Sequence, residues 1–257
     1  MTALSDLITT KAIPQPWTAL VYGVEGIGKT QLATQAPKTV IQMTENGAGR
    51  FEGIAKLKPA KTYQEVLDNM KVLYTEDHDL KTYTVDTLDW LQPLIYAHVC
   101  QVHNKQSMEQ FDYGAGNRYA LEYWLAFLEK CEKLRHHRQM NILFLAHAKI
   151  KNTRKPGEES GYQTYSLALQ DGENTSAARA VREWVDAVLF ANYEEFIKQG
   201  KGGQAVIVNS QKPPRIIYTE KRPAFEAKSR IPMPPEIELG PVLYDYLNGT
   251  ADTTQEQ

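Results

Sequence analysis

The stretch GVEGIGKT, Gly23 to Thr30, constrains the fold more than any other part of the chain. It fits G-x-x-x-x-G-K-[ST] and lies between the apolar run TALVY and the helix-like QLATQ, the strand, loop and helix setting that this spacing requires. Gly26 and Gly28 carry no Cβ, so the backbone can turn its N–H groups inward and hold a polyphosphate where the loop opens a helix. On this reading Gly23, Val24, Glu25, Gly26, Ile27, Gly28 and Gln31 belong to the cradle. Lys29 reaches the β- and γ-phosphates, and Thr30 ligands Mg²⁺. The motif therefore predicts a nucleotide site with ATP and Mg²⁺ as cofactors.

A chain of 257 residues that is 42% hydrophobic can bury the core of one large α/β domain. The net charge is only -2, so no global field attracts nucleic acid, and a DNA contact has to come from a local basic patch. Cys100 and Cys131 fall in helix-like segments and fit no metal spacing, as in a reduced cytosolic protein. No apolar run approaches the roughly twenty residues of a membrane span, and the N-terminus lacks a basic-then-apolar signal. The expectation is a soluble cytoplasmic protein with no membrane partner.

Along the chain, residues 1–16 read as an arm ending at Pro16, residues 17–247 as the nucleotide domain, and residues 248–257 as a disordered tail. Strands are expected at Trp17 to Tyr22, Thr39 to Met43, Thr82 to Asp86 and Asn141 to Ala148. Helices are expected at Tyr63 to Tyr74, Leu88 to His103 and Arg118 to His137. This alternation predicts a doubly wound, mostly parallel sheet with ligands at the carboxyl ends of its strands. Beyond Lys149 the polar KIKNTRKPGEESG reads as a mobile excursion before the strand-like YQTYSLALQ. A helix from Thr175 to Trp184, antiparallel strands in QAVIVN and RIIYTE, and a short helix in PVLYDYL complete the pattern.

Four further features surround the cradle in this topology. Asp86 closes an apolar strand as TYTVDT, the pattern that supports Mg²⁺ opposite a phosphate loop, with Asp89 as competitor. Glu45, in MTENG, projects from a neighbouring strand end; position alone leaves open whether it orients water or is a solvated loop glutamate. His147, in FLAHA, ends the buried strand beside the loop and is read either as a γ-phosphate contact or as a satisfied core histidine. Lys228 and Arg230 share one side of an extended segment, as a cationic pair for a γ-phosphate or as a charged sheet edge.

Together, GVEGIGKT, MTENG, YTVDT, FLAHAKIK and EKRPAFEAKSR resemble the RecA-like ATPases. More closely they resemble the compact phage-encoded AAA-type ATPases with a RecA core that act as single-strand annealing or recombination proteins. The resemblance spans roughly residues 15–235 and implies a RecA-like P-loop fold. It implies that Glu45 acts on the hydrolytic water and that His147 senses the γ-phosphate, although RecA itself carries glutamine there. It implies that Lys228-Ser229-Arg230 is the K-x-R pair that reaches a neighbour's nucleotide, hence a homo-oligomeric ring or filament. The basic segment Lys149, Lys151, Arg154 and Lys155, with Tyr162 and Tyr165 behind it, corresponds to loops that face single-stranded DNA. A phage or host single-strand binding protein is a further implied partner. Two other readings share the cradle, a small metabolite kinase and a nucleotide-dependent replication loader or switch.

Overall fold

The computed structural model describes residues 15–45, 47–153, 161–194, 197–199, 205–207 and 213–251, with 197–199 and 205–207 by backbone alone. In chain order the elements are β1 (Thr18–Gly23), α1 (Lys29–Thr34), β2 (Thr39–Met43), β3 (Ala55–Lys56), α2 (Tyr63–Thr75), β4 (Thr82–Asp86), α3 (Leu88–Val102) and α4 (Ala115–His137). There follow β5 (Asn141–Thr153), β6 (Tyr162–Leu167), α5 (Ala177–Trp184), β7 (Ala187–Tyr193), β8 (Ile197–Gln199), β9 (Ala205–Ile207), β10 (Arg215–Tyr218), β11 (Lys228–Ser229), β12 (Glu236–Glu238) and α6 (Val242–Leu247).

Ten strands share one sheet in the order β12-β10-β7-β1-β5-β4-β2-β3, with β11 on β7 and β6 on β5. The run from β3 to β7 is parallel. β6, β10, β11 and β12 join it antiparallel. This is the mixed α/β, mostly parallel architecture that the alternating patterns predict. β1, β2 and β4 are buried along their whole length because helices cover both faces of the sheet. Period-two alternation sends Leu20 and Tyr22 of β1 toward α2, α3 and α4, among Val66, Leu91 and Phe127. Ala19 and Val21 face Leu32 of α1 and Tyr244 of α6 on the other side.

Local chemistry sets the helix starts. Thr62 accepts the Glu65 N–H at 3.2 Å to cap α2, whose inward face is Tyr63, Val66, Met70 and Leu73. Ser176 caps α5 by accepting from the Arg179 N–H at 2.8 Å. Cys100 and Cys131 are free and buried, which suits packing. Among the described residues, no helix is long and apolar enough to cross a membrane.

Three expectations need correction. The excursion beyond Lys149 begins as strand, and His147 does not end one: β5 runs on to Thr153 and pairs with β6 from Ala148↔Leu167 to Thr153↔Tyr162, while residues 154–160 lie outside the described residues. Polar side chains suit the extension of β5 because Lys149 to Asn152 are exposed, so no core forces an apolar pattern on them. Ala205–Ile207 of QAVIVN is the expected antiparallel strand, paired with β8 in a separate two-stranded ladder. At the C-terminal side, Asn248 is anchored, its side chain accepting from the Trp17 indole N–H at 2.8 Å. Residues 1–14 of the arm and 252–257 of the tail lie outside the described residues.

Candidate nucleotide site

β1 ends at Gly23, flanked by His147 of β5 and Ala191 of β7. β4 ends at Asp86, opposite Met43 of β2, two residues before Glu45. Four strands thus bring Gly23, His147, Asp86 and Glu45 to the carboxyl end of the sheet, where parallel folds open their crevice.

The loop after β1 holds Gly26 at φ 73° and Gly28 at φ 106°, left-handed backbone that glycine adopts without a Cβ penalty. Lys29 is buried and donates from Nζ to the carbonyls of Gly23 at 3.1 Å and Val24 at 3.0 Å. Burial lowers its pKa, against the pull of Asp89, Asp86, Glu45 and Glu25. Thr30 donates from Oγ1 to Asp86 Oδ2 at 3.0 Å. The carboxylate is fully buried, and its Oδ1 has no hydrogen-bond partner among the described residues. An orphaned oxygen of this kind is costly unless a cation or donor meets it.

Gly47 shows how close the polar groups come. A Cβ there would stand 3.4 Å from Asp86 Oδ2, 3.5 Å from Glu45 Oε1 and 3.5 Å from Thr30 Oγ1. Burial raises the pKa of both Glu45 and Asp86, and the charge of Asp86 raises that of Glu45 further. The donor set fits Mg²⁺: one hydroxyl and one or two carboxylates, the remaining ligands being phosphate oxygens and water. Among the described residues no three His, Cys, Asp or Glu side chains form a complete cage, which Mg²⁺ in a nucleotide site does not need.

His147 is held rather than loose. Asp89, in the first turn of α3, accepts the His147 backbone N–H at 2.8 Å, and its other oxygen lies 2.8 Å from Nδ1. Asp89 is therefore the partner of the histidine and not a rival of Asp86 for metal. With Nδ1 committed to the carboxylate, Nε2 is the ring nitrogen left for a ligand. The hydrogen bond to Asp89 raises the His147 pKa, against burial. Burial works to raise the Asp89 pKa, but the two bonds from His147 outweigh it and hold the carboxyl low.

The signs define a pH window. A raised histidine pKa contributes stability fully below about 6.5, lost as pH rises through the folded value; the lowered Asp89 contributes above about 3.9, lost in stronger acid. Asp89→Asn is therefore expected to destabilise the protein more at pH 5.5 than at pH 9, read by urea unfolding at both. Equal losses at the two pH values would show that the pair carries no charge in the fold.

Other sequence candidates lie elsewhere. β11 pairs antiparallel with the start of β7, Lys228 opposite Val188 and Ser229 opposite Ala187, at the other end of the sheet from the phosphate loop. Arg230 there donates to the Glu183 carbonyl at 3.2 Å and pairs with Asp186 at 3.5 Å. Within one chain, then, Lys228 and Arg230 do not join the site. Lys149 donates to the Leu169 carbonyl at 2.6 Å, and Lys151 pairs with Asp171 at 3.0 Å, so neither is a free loop cation. Tyr165 packs on Phe190, ring centroids 5.2 Å apart, and serves the core. Arg154 and Lys155 lie outside the described residues.

Two residues at the site escaped the sequence reading. Tyr193 donates to the Gly26 carbonyl at 3.3 Å, and Arg215 donates from Nη1 to the Ile27 carbonyl at 3.3 Å. They lie 167 and 188 residues from their partners, and no local spacing signals contacts of that separation.

No curated protein matches the chain significantly. The model of one family, described as an AAA domain, matches residues 15–231, which include the phosphate loop, Glu45, Asp86, Asp89 and His147. The chain therefore belongs to the AAA domain family, whose members are nucleotide-binding ATPases.

Proposed function

We propose that the chain is a RecA-like ATPase that couples its nucleotide state to single-stranded DNA, in the manner of a phage recombination or annealing protein. The observation that carries the ATPase half is the Thr30–Asp86 contact with the Glu45 carboxylate beside it. Mg²⁺, when bound, would supply positive charge against the phosphates. Thr30 and Asp86 would hold that ion, and Lys29 would turn from the Gly23 and Val24 carbonyls to the β- and γ-phosphates. Glu45 orients water and takes its proton. His147 presents Nε2 to the γ-phosphate.

The DNA half is supported by position. Four residues after His147, Lys151 reaches a groove of about 910 Å³ between the β5–β6 hairpin, α5 and residues 221–226. Arg179 and Lys221 line it, both exposed and in no ion pair among the described residues, while Arg182 is paired with Glu226 at 2.5 Å. Tyr162 adds an aromatic wall. A groove with cations along it and a ring beside them suits a single strand, and one continuous strand joins it to His147. We place the single-strand contacts on Arg179 and Lys221 rather than on Lys149.

Replacing both Arg179 and Lys221 with Ala is expected to weaken binding of a single-stranded oligonucleotide. The slope of log K against log salt should become shallower by about 1.4, at about 0.7 per phosphate contact. Titration under ATP, ADP and no nucleotide measures this, and particle size followed alongside tests for a ring or filament. In such an assembly the exposed Arg230 end of one subunit would face a neighbour's nucleotide. If the purified protein binds no single strand at low salt in any nucleotide state, the DNA half fails. Phosphate release without an acceptor separates the ATPase from a kinase.

A further inference from the structure

The phosphate loop is held from outside by the edge of the sheet. Tyr193, the last residue of β7, sits opposite Arg215, the first of β10. The Tyr193 hydroxyl donates to the Gly26 carbonyl at 3.3 Å, and Arg215 Nη1 donates to the Ile27 carbonyl at 3.3 Å and to Gln31 Oε1 at 3.4 Å. In a planar trans peptide the C=O and N–H point in opposite directions. A Gly26 carbonyl held toward β7 and β10 therefore turns the Ile27 N–H away from that edge, and the Ile27 carbonyl does the same for the Gly28 N–H. Successive N–H groups aimed to one side make an anion nest, and the left-handed Gly26 and Gly28 complete its turns.

Gly28 carries a separate sign of the same arrangement. A Cβ there would stand 2.5 Å from Arg215 Nη1, so the guanidinium fills the space that glycine leaves. Arginine suits this place because one arm of its fork, Nη1, carries two N–H donors that reach two acceptors at once, the loop carbonyl and the Gln31 amide oxygen. Among the described residues, the hydrogen bonds of its side chain all come from Nη1.

We infer that Arg215 and Tyr193 are positioning residues that preset the phosphate loop, acting through the Gly26 and Ile27 carbonyls to aim the Ile27 and Gly28 N–H groups at a nucleotide's phosphates. The inference rests on the nucleotide reading above and adds to it the part of the chain that organises the cradle before ligand arrives. Preorganisation of this kind lowers the cost of binding. It acts on ADP and ATP alike, because the loop faces phosphates that both possess, and it leaves the groups around the γ-phosphate untouched.

The test measures affinity for ADP and for a non-hydrolysable ATP analogue by calorimetry, in wild type, Arg215→Ala, Arg215→Lys and Tyr193→Phe. Arg215→Ala is expected to weaken both ligands about tenfold and equally, and to raise KM for ATP more than it lowers kcat. Arg215→Lys should recover part of the loss, since it keeps a donor without the fork. Tyr193→Phe removes one oxygen from a folded scaffold and should weaken both ligands in the same ratio. Amide resonances of Ile27 and Gly28 report the aim of the N–H groups directly, and their shifts on adding ADP should shrink in both variants. Wild-type affinity in Arg215→Ala and Tyr193→Phe would overturn the inference. So would a lower Tm of the ligand-free protein with ADP affinity unchanged, which marks a purely structural contact. If wild type binds neither ligand, the nucleotide reading itself fails, and the inference falls with it.

Discussion

Glu45→Gln is expected to bind ATP as wild type does and to release phosphate about 10²- to 10⁴-fold more slowly, the range contributed by a positioned general base. The substitution keeps the size and the hydrogen-bonding shape of the side chain and removes its ability to take a proton. The geometry motivates it: Glu45 Oε1 shares with Thr30 Oγ1 and Asp86 Oδ2 the small space left by Gly47. Burial and the neighbouring charge of Asp86 raise the Glu45 pKa. A base whose pKa moves toward the working pH accepts a proton more effectively. Single-turnover phosphate release separates the step from binding. Turnover near zero in both wild type and variant would favour a nucleotide-dependent loader or switch over an ATPase. Equal, substantial turnover would remove Glu45 from the reaction.

Gly23→Ala is expected to destabilise the fold by about 3 kcal/mol, the upper part of the range for overpacking a core. The added Cβ would stand 2.1 Å from the carbonyl oxygen and 2.9 Å from the carbonyl carbon of Ala191. Those atoms belong to the backbone of β7, paired with Gly23 at the carboxyl end of the interior strand β1, so no flexible side chain can yield. Relief requires β1 and β7 to part, which would also displace the loop that follows Gly23. With an m-value of about 3 kcal/mol/M or less, the urea midpoint falls by about 1 M or more. Gly240→Ala is the control, since a Cβ there meets nothing within 4 Å and should leave the midpoint in place. A Gly23→Ala midpoint equal to that of the control would mean that the strands adjust freely.

The parts of this chain that were legible in the sequence are those written in neighbouring residues. Thr39–Met43 and Thr82–Asp86 are strands with the predicted bounds, because each is a short run of strand-forming residues between breakers. The inward face of Tyr63–Thr75 follows from helical spacing alone. The hairpin beyond Lys149 was not legible: KIKNT has the composition of a loop, and only pairing with Tyr162–Leu167 makes it a strand. The Lys149 and Lys151 side chains meet the Leu169 carbonyl and Asp171, which is why the DNA contact is proposed on Arg179 and Lys221 instead. The placement of Lys228 and Arg230 was equally closed to inspection, since alternation gives the side of a strand and not the end of the sheet at which the strand docks.

The sequence by itself determined that a phosphate loop joins a strand to a helix, that the strands around it are parallel and buried, and that Glu45 and Asp86 stand at strand ends, whereas His147 lies inside β5 at its last pairing with β1. Spacing, periodicity and chain punctuation act over a few residues, so they can be read in order along the chain. Only the tertiary structure decided that Asp89 holds His147, that Gly47 opens a space bounded by Glu45, Asp86 and Thr30, and that Tyr193 and Arg215 grip the loop. Those contacts depend on which strands lie side by side and in what register, which is set when the whole core packs at once.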